Sequence, residues 1–279
     1  MSLQAEEKQK LQDIARELRL TIIDVMAWSG GAHVGGSLSI VDILTILYFK
    51  YLNIRPDEPQ WDDRDRFILS KGHAAAGYIP VLAKRGYFDP ETLKSFNHFG
   101  SPFAMHPDCN KVIGCDASAG SLGHGLSMAI GLGLGARCLG ASWKTVCLMG
   151  DGECCEGSVW EAAMAAPRFK LGNIVGIVDR NKLMIDGFTE DVMPLEPFAD
   201  KWRAFNWEVF EVDGHDVSAI YEAISMAQKV TGKPSMIILK TVKGRGMAAG
   251  EGLVSSHSMA VTDEDIAVAR EQLGYGLEV

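Results

Sequence analysis

The feature that most constrains the fold is a series of short apolar runs that alternate with helical segments from Arg66 onward. Short apolar runs are typical of buried strands, and their alternation with helices favours a mostly parallel sheet flanked by helices. We therefore predict an α/β fold with strands at 67–69, 145–149, 173–179, 207–212 and 235–242. In such sheets ligands bind beyond the carboxyl ends of the strands, so the chemistry is expected there.

The first 60 residues have a different pattern. Apolar residues recur at helical spacing over 11–28 and 39–52, and Gly30 and Gly31 separate the two stretches. No repeat, low-complexity tract or linker divides the chain. We predict one domain, 1–279, with a helical N-terminal arm at 1–60 and an α/β core at 61–279.

The charge balance limits the partners of the chain. It has 27 Lys and Arg against 36 Asp and Glu residues, a formal net charge of −9. Nucleic-acid binding would require a basic patch or stripe, and the basic residues here are scattered, so neither a nucleic acid nor a membrane is expected as a partner. The N-terminus lacks the apolar core of a signal peptide, and no run of about 18 apolar residues occurs. We expect a cytoplasmic protein.

The six cysteines do not form a metal-ligand or disulfide pattern. They stand at 109, 115, 138, 147, 154 and 155, without a CxxC pair. Most are predicted to be reduced thiols that pack as small apolar side chains. A bridge between the adjacent Cys154 and Cys155 would be strained, and no base is evident near them, so their role stays open.

One βαβ unit carries the strongest chemical signal. Asp151 in "GDGECCEG" follows one predicted strand, and Asn181 follows the next strand. If these strands are parallel neighbours, Asp151, Asn181 and the carbonyl of Leu183 bring three oxygen ligands to one sheet edge, which suits Mg²⁺ completed by waters and phosphates. Gly150 and Gly152 would let a phosphate approach the backbone. Alone, "GDG" is far more often only a tight turn, and Asn181 alone would be only a loop residue.

The spacing between the "GDG" motif and Asn181 supports the predicted metal site. Asn181 lies 30 positions after Asp151, which resembles the thiamine diphosphate enzymes, whose cofactor motif begins with "GDG" and ends with Asn about thirty residues later. Further segments narrow the resemblance to the transketolases, from about residue 10 to about residue 270. They are "FILSKGHA" (67–74), "AMHPD" (104–108), "GSLGHGLS" (120–127), "NKLMIDG" (181–187) and "SSHSMAVTDED" (255–265).

The resemblance implies a cofactor, a metal and a set of site residues. The cofactor is thiamine diphosphate, held through Mg²⁺, for which Ca²⁺ or Mn²⁺ could substitute. The implied metal ligands are Asp151, Asn181 and Leu183, and the implied catalytic residues are His33, His73 and His106. The implied cofactor contacts are His73, Gly120, Leu122, Gly152, Glu156, Asn181, Ile185 and His257. Imidazoles suit proton transfer at sugar hydroxyls near neutral pH.

Some of these assignments have alternatives. Leu122 and Ile185 match apolar residues that hold the cofactor bent, but isolated aliphatic side chains are as readily explained by core packing. Glu156 resembles an acidic residue that couples subunits, and it would also suit the first turn of a helix. The sequences "HVGG" and "HSMAV" depart from the family around His33 and His257, which affects the local loop shape.

Three further histidines are assigned mainly to structure. They are His98, His124 and His215, although His124 lies beside the "GSLG" turn, where it could support the cofactor through another residue.

The resemblance also implies a partner chain. In transketolases a second domain binds the aminopyrimidine and supplies an activating glutamate, and here the sequence stops 22 residues after His257. We expect that domain on a separate C-terminal subunit, in an α2β2 assembly that transfers a two-carbon ketol unit from a ketose to an aldose. The sugar, and whether its tail is a phosphate, stay open.

Four other functions are kept as alternatives. They are a deoxyxylulose phosphate synthase-like enzyme, the α subunit of a 2-oxo acid dehydrogenase, a metal-dependent phosphohydrolase with Asp151 as nucleophile, and a non-catalytic binding subunit.

Overall fold

The predicted strands form one parallel sheet in the order β1-β2-β3-β5-β4. The structure is a computed structural model that describes residues 3–274. The strands are β1 (Arg66–Leu69), β2 (Thr145–Gly150), β3 (Ile174–Arg180), β4 (Glu208–Asp213) and β5 (Ser235–Lys240). The prediction for β5 ran two residues too long, because the chain turns away there and the N–H of Val242 donates to the His215 ring at 2.9 Å.

Both faces of the sheet are covered, as the apolar composition of the strands requires. In β2, Val146 and Leu148 pack into the core on one face, and Cys147 and Met149 pack into the core on the other. Side chains alternate between the two faces of a strand, so a strand that is apolar at every position must be buried on both sides. In β1, β2, β3 and β5 the polar side chains are confined to the strand ends, whereas the edge strand β4 carries the exposed Glu211 in its interior.

Ten α-helices of the described residues surround the sheet. Their bounds are α1 (Ala5–Trp28), α2 (Val34–Leu38), α3 (Val41–Ile46), α4 (Ala75–Arg85), α5 (Gly125–Leu139), α6 (Gly157–Arg168), α7 (Thr189–Val192), α8 (Phe198–Ala204), α9 (Val217–Ala227) and α10 (Asp263–Gln272). Short 3₁₀ turns cover Gly72–Ala74, Pro90–Ser95, Gly152–Cys155 and Val254–His257. Helices α1, α3, α4 and α9 pack on one face of the sheet, and α5, α6 and α8 pack on the other.

The second predicted helix is divided. The stretch 39–52 forms α3 and then a π-helical turn at Leu47–Tyr51, while α2 begins earlier, directly after His33. Val34–Tyr51 has the length and composition of a membrane-crossing helix, but 83% of it is buried inside the fold. It therefore has the character of a core helix, packed against α1, α4 and α9.

The glycine-rich break after α1 brings two distant parts of the chain together. Ala32 pairs with Met259 in an antiparallel bridge. A Cβ on Gly31 would lie 3.0 Å from the carbonyl oxygen of Met259, and the backbone of Gly31 has φ of +133°. A side chain at this position is therefore disfavoured both by the close contact and by the backbone conformation. This bridge places His33 beside His257.

Candidate functional site

A cleft opens at the carboxyl ends of β1, β2, β3 and β5, where the sheet topology predicts a ligand site. It is lined by Gly36, Lys71, His73, Leu122, Gly150, Asp151, Gly152, Glu153, Cys155, Glu156, Asn181, Leu183, Met184, Ile185, Lys243 and His257. Nine of the sequence-predicted site residues lie on this surface: His73, Leu122, Asp151, Gly152, Glu156, Asn181, Leu183, Ile185 and, from the far end of the chain, His257.

Asp151 directly follows β2 and is only 2% exposed. Its Oδ2 accepts hydrogen bonds from the N–H of Lys182 at 2.6 Å and from Arg180 at 3.1 Å, and its Oδ1 accepts from the N–H of Gly152 at 2.8 Å. Burial raises the pKa of Asp151, and the nearby Asp179 adds to that effect. Since a carboxylate oxygen has two lone pairs, Oδ1 keeps one that can bind a cation.

Asn181 and Leu183 lie on the loop that follows β3, next to Asp151. Asn181 accepts the N–H of Leu183 on its Oδ1 at 3.0 Å and donates to Asp179 at 3.0 Å. The described residues hold no cluster of three His, Cys, Asp or Glu side chains able to bind a metal. The predicted ligand set differs from such a cluster, because it combines one carboxylate with an amide oxygen and a carbonyl, all hard donors.

Four histidines converge at the mouth of the cleft. The ring centroid of His33 lies 5.3 Å from that of His73, 5.4 Å from that of His257 and 6.1 Å from that of His106, and His73 lies 5.3 Å from His257. These residues come from four separate segments of the chain. His33 and His106 stand beside the cleft rather than in its wall, and His106 is exposed.

Three of these imidazoles are held neutral. Burial and the ammonium of Lys71 lower the pKa of His73 to about 2, and burial and the ammonium of Lys243 lower the pKa of His257 to about 4. Burial and His106 also lower the pKa of His33, whose buried Nδ1 has no hydrogen-bond partner among the described residues. A neutral imidazole can accept a proton, and the unpartnered nitrogen is a group that a ligand would satisfy.

The sequence reasoning missed the ion pair below the cleft. Lys71 Nζ lies 2.6 Å from Asp179 Oδ2, with both side chains essentially inaccessible to solvent. Burial alone would raise the pKa of Asp179, but Lys71 and the hydroxyls of Thr241 and Ser39 lower it below its ordinary value. The available signal was a lysine and an aspartate at the carboxyl ends of two otherwise apolar strands.

Two more cleft residues were missed. Glu153 Oε1 accepts from Ser70 and from the N–H of Gly123 at 2.8 Å, and its Oε2 accepts from the N–H of Gly150 at 3.0 Å. Burial raises the pKa of this carboxyl group. Glu153 thus ties three loops together beneath the cleft. The second is Lys243, where burial and Lys71 lower the pKa of the ammonium to about 8.

The apolar and acidic residues on the rim differ in exposure. Ile185 is 64% exposed, which excludes the core-packing alternative for it in this chain, whereas Leu122 is half-buried. Glu156 is exposed at the start of α6 and makes no capping hydrogen bond with its side chain. Gly120 lies outside the cleft wall, where a Cβ would sit 3.6 Å from the ring of His106.

The remaining histidines and the cysteines have other environments. His215 donates from Nδ1 to Asp42 at 2.8 Å, away from the cleft, and His98 contacts the carbonyl of Trp28 at 3.1 Å. Cys154 is fully buried, and burial raises its pKa well above that of a free thiol. Burial also raises the pKa of the half-buried Cys155. These thiols are therefore protonated at neutral pH, which disfavours them as nucleophiles.

The glycines of the cleft leave space for a ligand group to approach the backbone. A Cβ on Gly36 would lie 3.3 Å from the His73 ring and 3.4 Å from Lys71 Nζ. A Cβ on Gly152 would lie 3.0 Å from the side chain of Met184. The cleft thus combines backbone access, two ammonium groups and neutral imidazoles, which fits an anionic group such as a diphosphate.

Comparison with known proteins identifies the family to which this site belongs. Residues 10–278 match the family model described as transketolase, thiamine diphosphate binding domain. The chain belongs to this family, and its fold and cleft are those of a thiamine diphosphate-binding domain.

Among curated proteins, the chain is similar to individual subunits of transketolases. It is 42% identical to the 6-deoxy-6-sulfo-D-fructose transketolase subunit SqwG of Clostridium sp. strain MSTE9, over 93% of this chain and 94% of that protein. It is 38% identical to an apulose-4-phosphate transketolase subunit of Phocaeicola vulgatus, over 93% of this chain and 92% of that protein.

Solved transketolases share the fold. A transketolase structure from Pichia stipitis superposes with a TM-score of 0.92 at 31% identity, over 96% of this chain and 41% of that one. The Campylobacter jejuni transketolase structure gives 0.91 at 32% identity, over 97% and 44%. The chain therefore spans about two fifths of the length of these solved enzymes.

Proposed function

We propose that the chain is the thiamine diphosphate- and Mg²⁺-binding subunit of a heteromeric transketolase, which moves a two-carbon ketol unit from a ketose to an aldose. The observation that carries the proposal is the joint placement of Asp151, the Asn181–Leu183 loop and the four histidines at one end of a parallel sheet in a transketolase-family domain. The cofactor supplies the carbanion chemistry when bound.

The metal would be held by Asp151 Oδ1, Asn181 Oδ1 and the carbonyl of Leu183, with Mg²⁺ preferred and Ca²⁺ or Mn²⁺ as substitutes. The phosphates would complete its shell. Gly152, His73, Asn181 and His257 surround the space for the diphosphate, and Leu122 and Ile185 lie on the rim, where they would contact the cofactor rings. Gly120 and Glu156 would contact the cofactor and the partner chain from the edge of this wall.

The histidines would transfer protons to and from the sugar hydroxyls and would polarise the substrate carbonyl by hydrogen bonding. His33 and His106 line the mouth, where a sugar's C1 hydroxyl and carbonyl oxygen would enter, and His73 lies deeper, beside Lys71. Neutral imidazoles are suited to this role because each can accept a proton on one nitrogen while donating from the other.

A separate C-terminal subunit would supply the pyrimidine-binding domain and the activating glutamate. Relatives named as subunits match this chain over nearly their full lengths, whereas Escherichia coli transketolase 2 is matched over 41% of its length. These matches support a two-chain enzyme, which we propose is α2β2 and cytoplasmic. Relatives named for sulfonated and phosphorylated sugars make both substrate classes reasonable.

The test is reconstitution. The chain is purified alone and together with a separate transketolase C-terminal subunit, and ketol transfer is measured with thiamine diphosphate and Mg²⁺. Activity is expected in the mixture only. Robust activity of the isolated chain would refute the two-subunit proposal, and an inactive mixture whose first subunit does not bind the cofactor would refute the enzyme assignment.

A further inference from the structure

Arg180 is a buried cation that binds one of the two carboxylate oxygens of Asp151. It is the last residue of β3, and only 3% of its surface is exposed. Its Nη1 donates to Asp151 Oδ2 at 3.1 Å, and the N–H of Lys182 donates to the same oxygen at 2.6 Å. Because a carboxylate oxygen has two lone pairs, these two donors occupy Oδ2 fully. Asp151 therefore has only Oδ1 to offer a metal ion, and the N–H of Gly152 leaves one lone pair of Oδ1 open.

A second set of contacts holds the guanidinium of Arg180 in this position. Its Nη1 also donates to the hydroxyl of Thr189 at 2.7 Å, and its Nη2 donates to Glu190 at 2.8 Å and to Glu196 at 3.0 Å. The guanidinium carbon lies 5.6 Å from the ring centroid of Phe198. A planar guanidinium with five N–H donors can bind several oxygens at once, which a compact lysine ammonium does less well. The contact with Asp151 is thus fixed by groups that lie outside the proposed metal site.

The charge of Arg180 does not exclude a divalent cation beside it. One guanidinium faces three carboxyl groups, those of Asp151, Glu190 and Glu196. Glu190 is itself held in place, because its Oε1 also accepts the N–H of Leu195 at 3.1 Å. This group of side chains is therefore not cationic as a whole. The effect of Arg180 on a metal ion is then mainly geometric, since it removes one oxygen from the possible ligands.

The number of oxygens that Asp151 can offer affects which metal ion fits. Mg²⁺ requires a nearly ideal octahedron, to which each protein ligand contributes one oxygen. Ca²⁺ takes about six to eight oxygens in a more flexible geometry and often binds both oxygens of one carboxylate. With Oδ2 occupied, Asp151 suits the octahedral ion, and the two-oxygen mode that favours Ca²⁺ is closed.

We propose that Arg180 is a specificity-determining residue of the metal site: it occupies Oδ2 of Asp151, restricts this ligand to one oxygen and so makes the site select Mg²⁺ over Ca²⁺. The inference deepens the proposed function and rests on it. Arg180 does not touch the metal ion in this proposal and acts by positioning Asp151.

The experiment compares the dissociation constants of Ca²⁺ and Mg²⁺ in wild type and Arg180→Met, by calorimetric titration of the full chain at a fixed concentration of thiamine diphosphate. Methionine keeps much of the side-chain volume and donates no hydrogen bond to Asp151. The affinity for Ca²⁺ relative to Mg²⁺ should rise at least about tenfold in the variant. Because both ions carry two positive charges, the loss of the guanidinium charge changes both affinities alike, and the ratio reports the ligand geometry. An unchanged ratio would overturn the proposal.

The matched control is Glu196→Gln, which removes a charge next to Arg180 but leaves the contact between Arg180 and Asp151 in place. Its side chain is 56% exposed, so the fold should tolerate the change, and the ratio of the two affinities should equal that of the wild type. A shift as large as in Arg180→Met would show that charge sets the selectivity, and the proposal would then be wrong.

The same titrations separate this inference from the proposed function. If the wild-type chain binds neither metal ion in the presence of thiamine diphosphate, the proposed function fails and this inference fails with it. If the wild type binds both ions and Arg180→Met leaves their ratio unchanged, only the present inference fails.

A second measurement needs no variant. A crystal structure of the wild-type chain with thiamine diphosphate and Ca²⁺ should show Asp151 bound to the ion through Oδ1 alone, with Arg180 still on Oδ2. Contact of both Asp151 oxygens with Ca²⁺ would overturn the proposal even if Arg180→Met did not fold.

Discussion

Two of the buried charge networks in the part of the chain that the structure describes differ in how fully their charges are paired. Away from the cleft, Asp42 accepts hydrogen bonds from both Arg19 and His215, and the ring of His215 accepts one from the N–H of Val242. Every member of this network is therefore paired. At the cleft, Asp179 balances Lys71, but Lys243 faces neutral atoms. The comparison teaches that a balanced buried network serves the fold, whereas an unbalanced one at a sheet edge marks a surface for a charged ligand.

The largest expected effect is the loss of the carboxylate below the cleft. Asp179→Ala leaves Lys71 buried without a counter-charge and should lower the free energy of unfolding by about 3–5 kcal/mol, measured by denaturant titration. Asp42→Ala should destabilise by a similar amount through Arg19. In the folded fraction, however, Asp42→Ala should change cofactor affinity by less than about threefold, because the network of Arg19, Asp42 and His215 lies apart from the cleft. A large loss of cofactor affinity in Asp42→Ala would break the comparison.

The next effect concerns the metal ligand. Asp151→Ala removes one hard donor and its charge, so metal-dependent cofactor binding should fall below detection in a calorimetric titration. The fold should survive, because Arg180 keeps Glu190 and Glu196 as partners. Asp151→Asn is the shape-matched variant and should show an intermediate loss. Unchanged affinity in Asp151→Ala would contradict the proposed site.

A smaller effect is expected from pH. The folded-state pKa values of His73, about 2, and His257, about 4, lie below the ordinary value of 6.5. The unfolded chain therefore takes up protons that the folded chain does not, so this contribution is complete above pH 6.5 and is lost as pH falls toward 4 and below. Urea titrations between about pH 7 and about pH 4.5 should show falling stability.

The control for that pH dependence replaces histidines in and outside the cleft. His73→Gln combined with His257→Gln should flatten the stability profile over the same pH range, whereas the exposed His98→Gln should leave its slope unchanged. An equal slope in the double variant and the wild type would show that other groups cause the pH dependence.

The smallest effect belongs to the cysteine in the cleft wall. Cys155→Ser should change the free energy of unfolding by less than about 0.5 kcal/mol and should leave cofactor affinity unchanged, because the thiol is protonated and carries no charge to pair. Loss of cofactor binding in this variant would show that Cys155 takes part in binding the cofactor.

The sequence was most informative where a motif is local. The spacing of Asp151 and Asn181 placed both at one sheet edge, and β2 pairs with β3 in the parallel register that this expectation required. The same reasoning missed Lys71, Glu153 and Lys243, because their importance depends on partners that come from other segments. Asp179 was predicted only as the last residue of a strand.

The sequence by itself determined the parallel α/β sheet and the βαβ unit, because each depends on periodicity or spacing along the chain, and its motifs carried the resemblance to the family. The tertiary structure decided which charges meet. Lys71 and Asp179 are 108 positions apart, and Lys243 and Leu183 are 60 positions apart. Such contacts depend on how the crossovers order the strands and on which side chains lose water, and neither property is encoded in neighbouring residues.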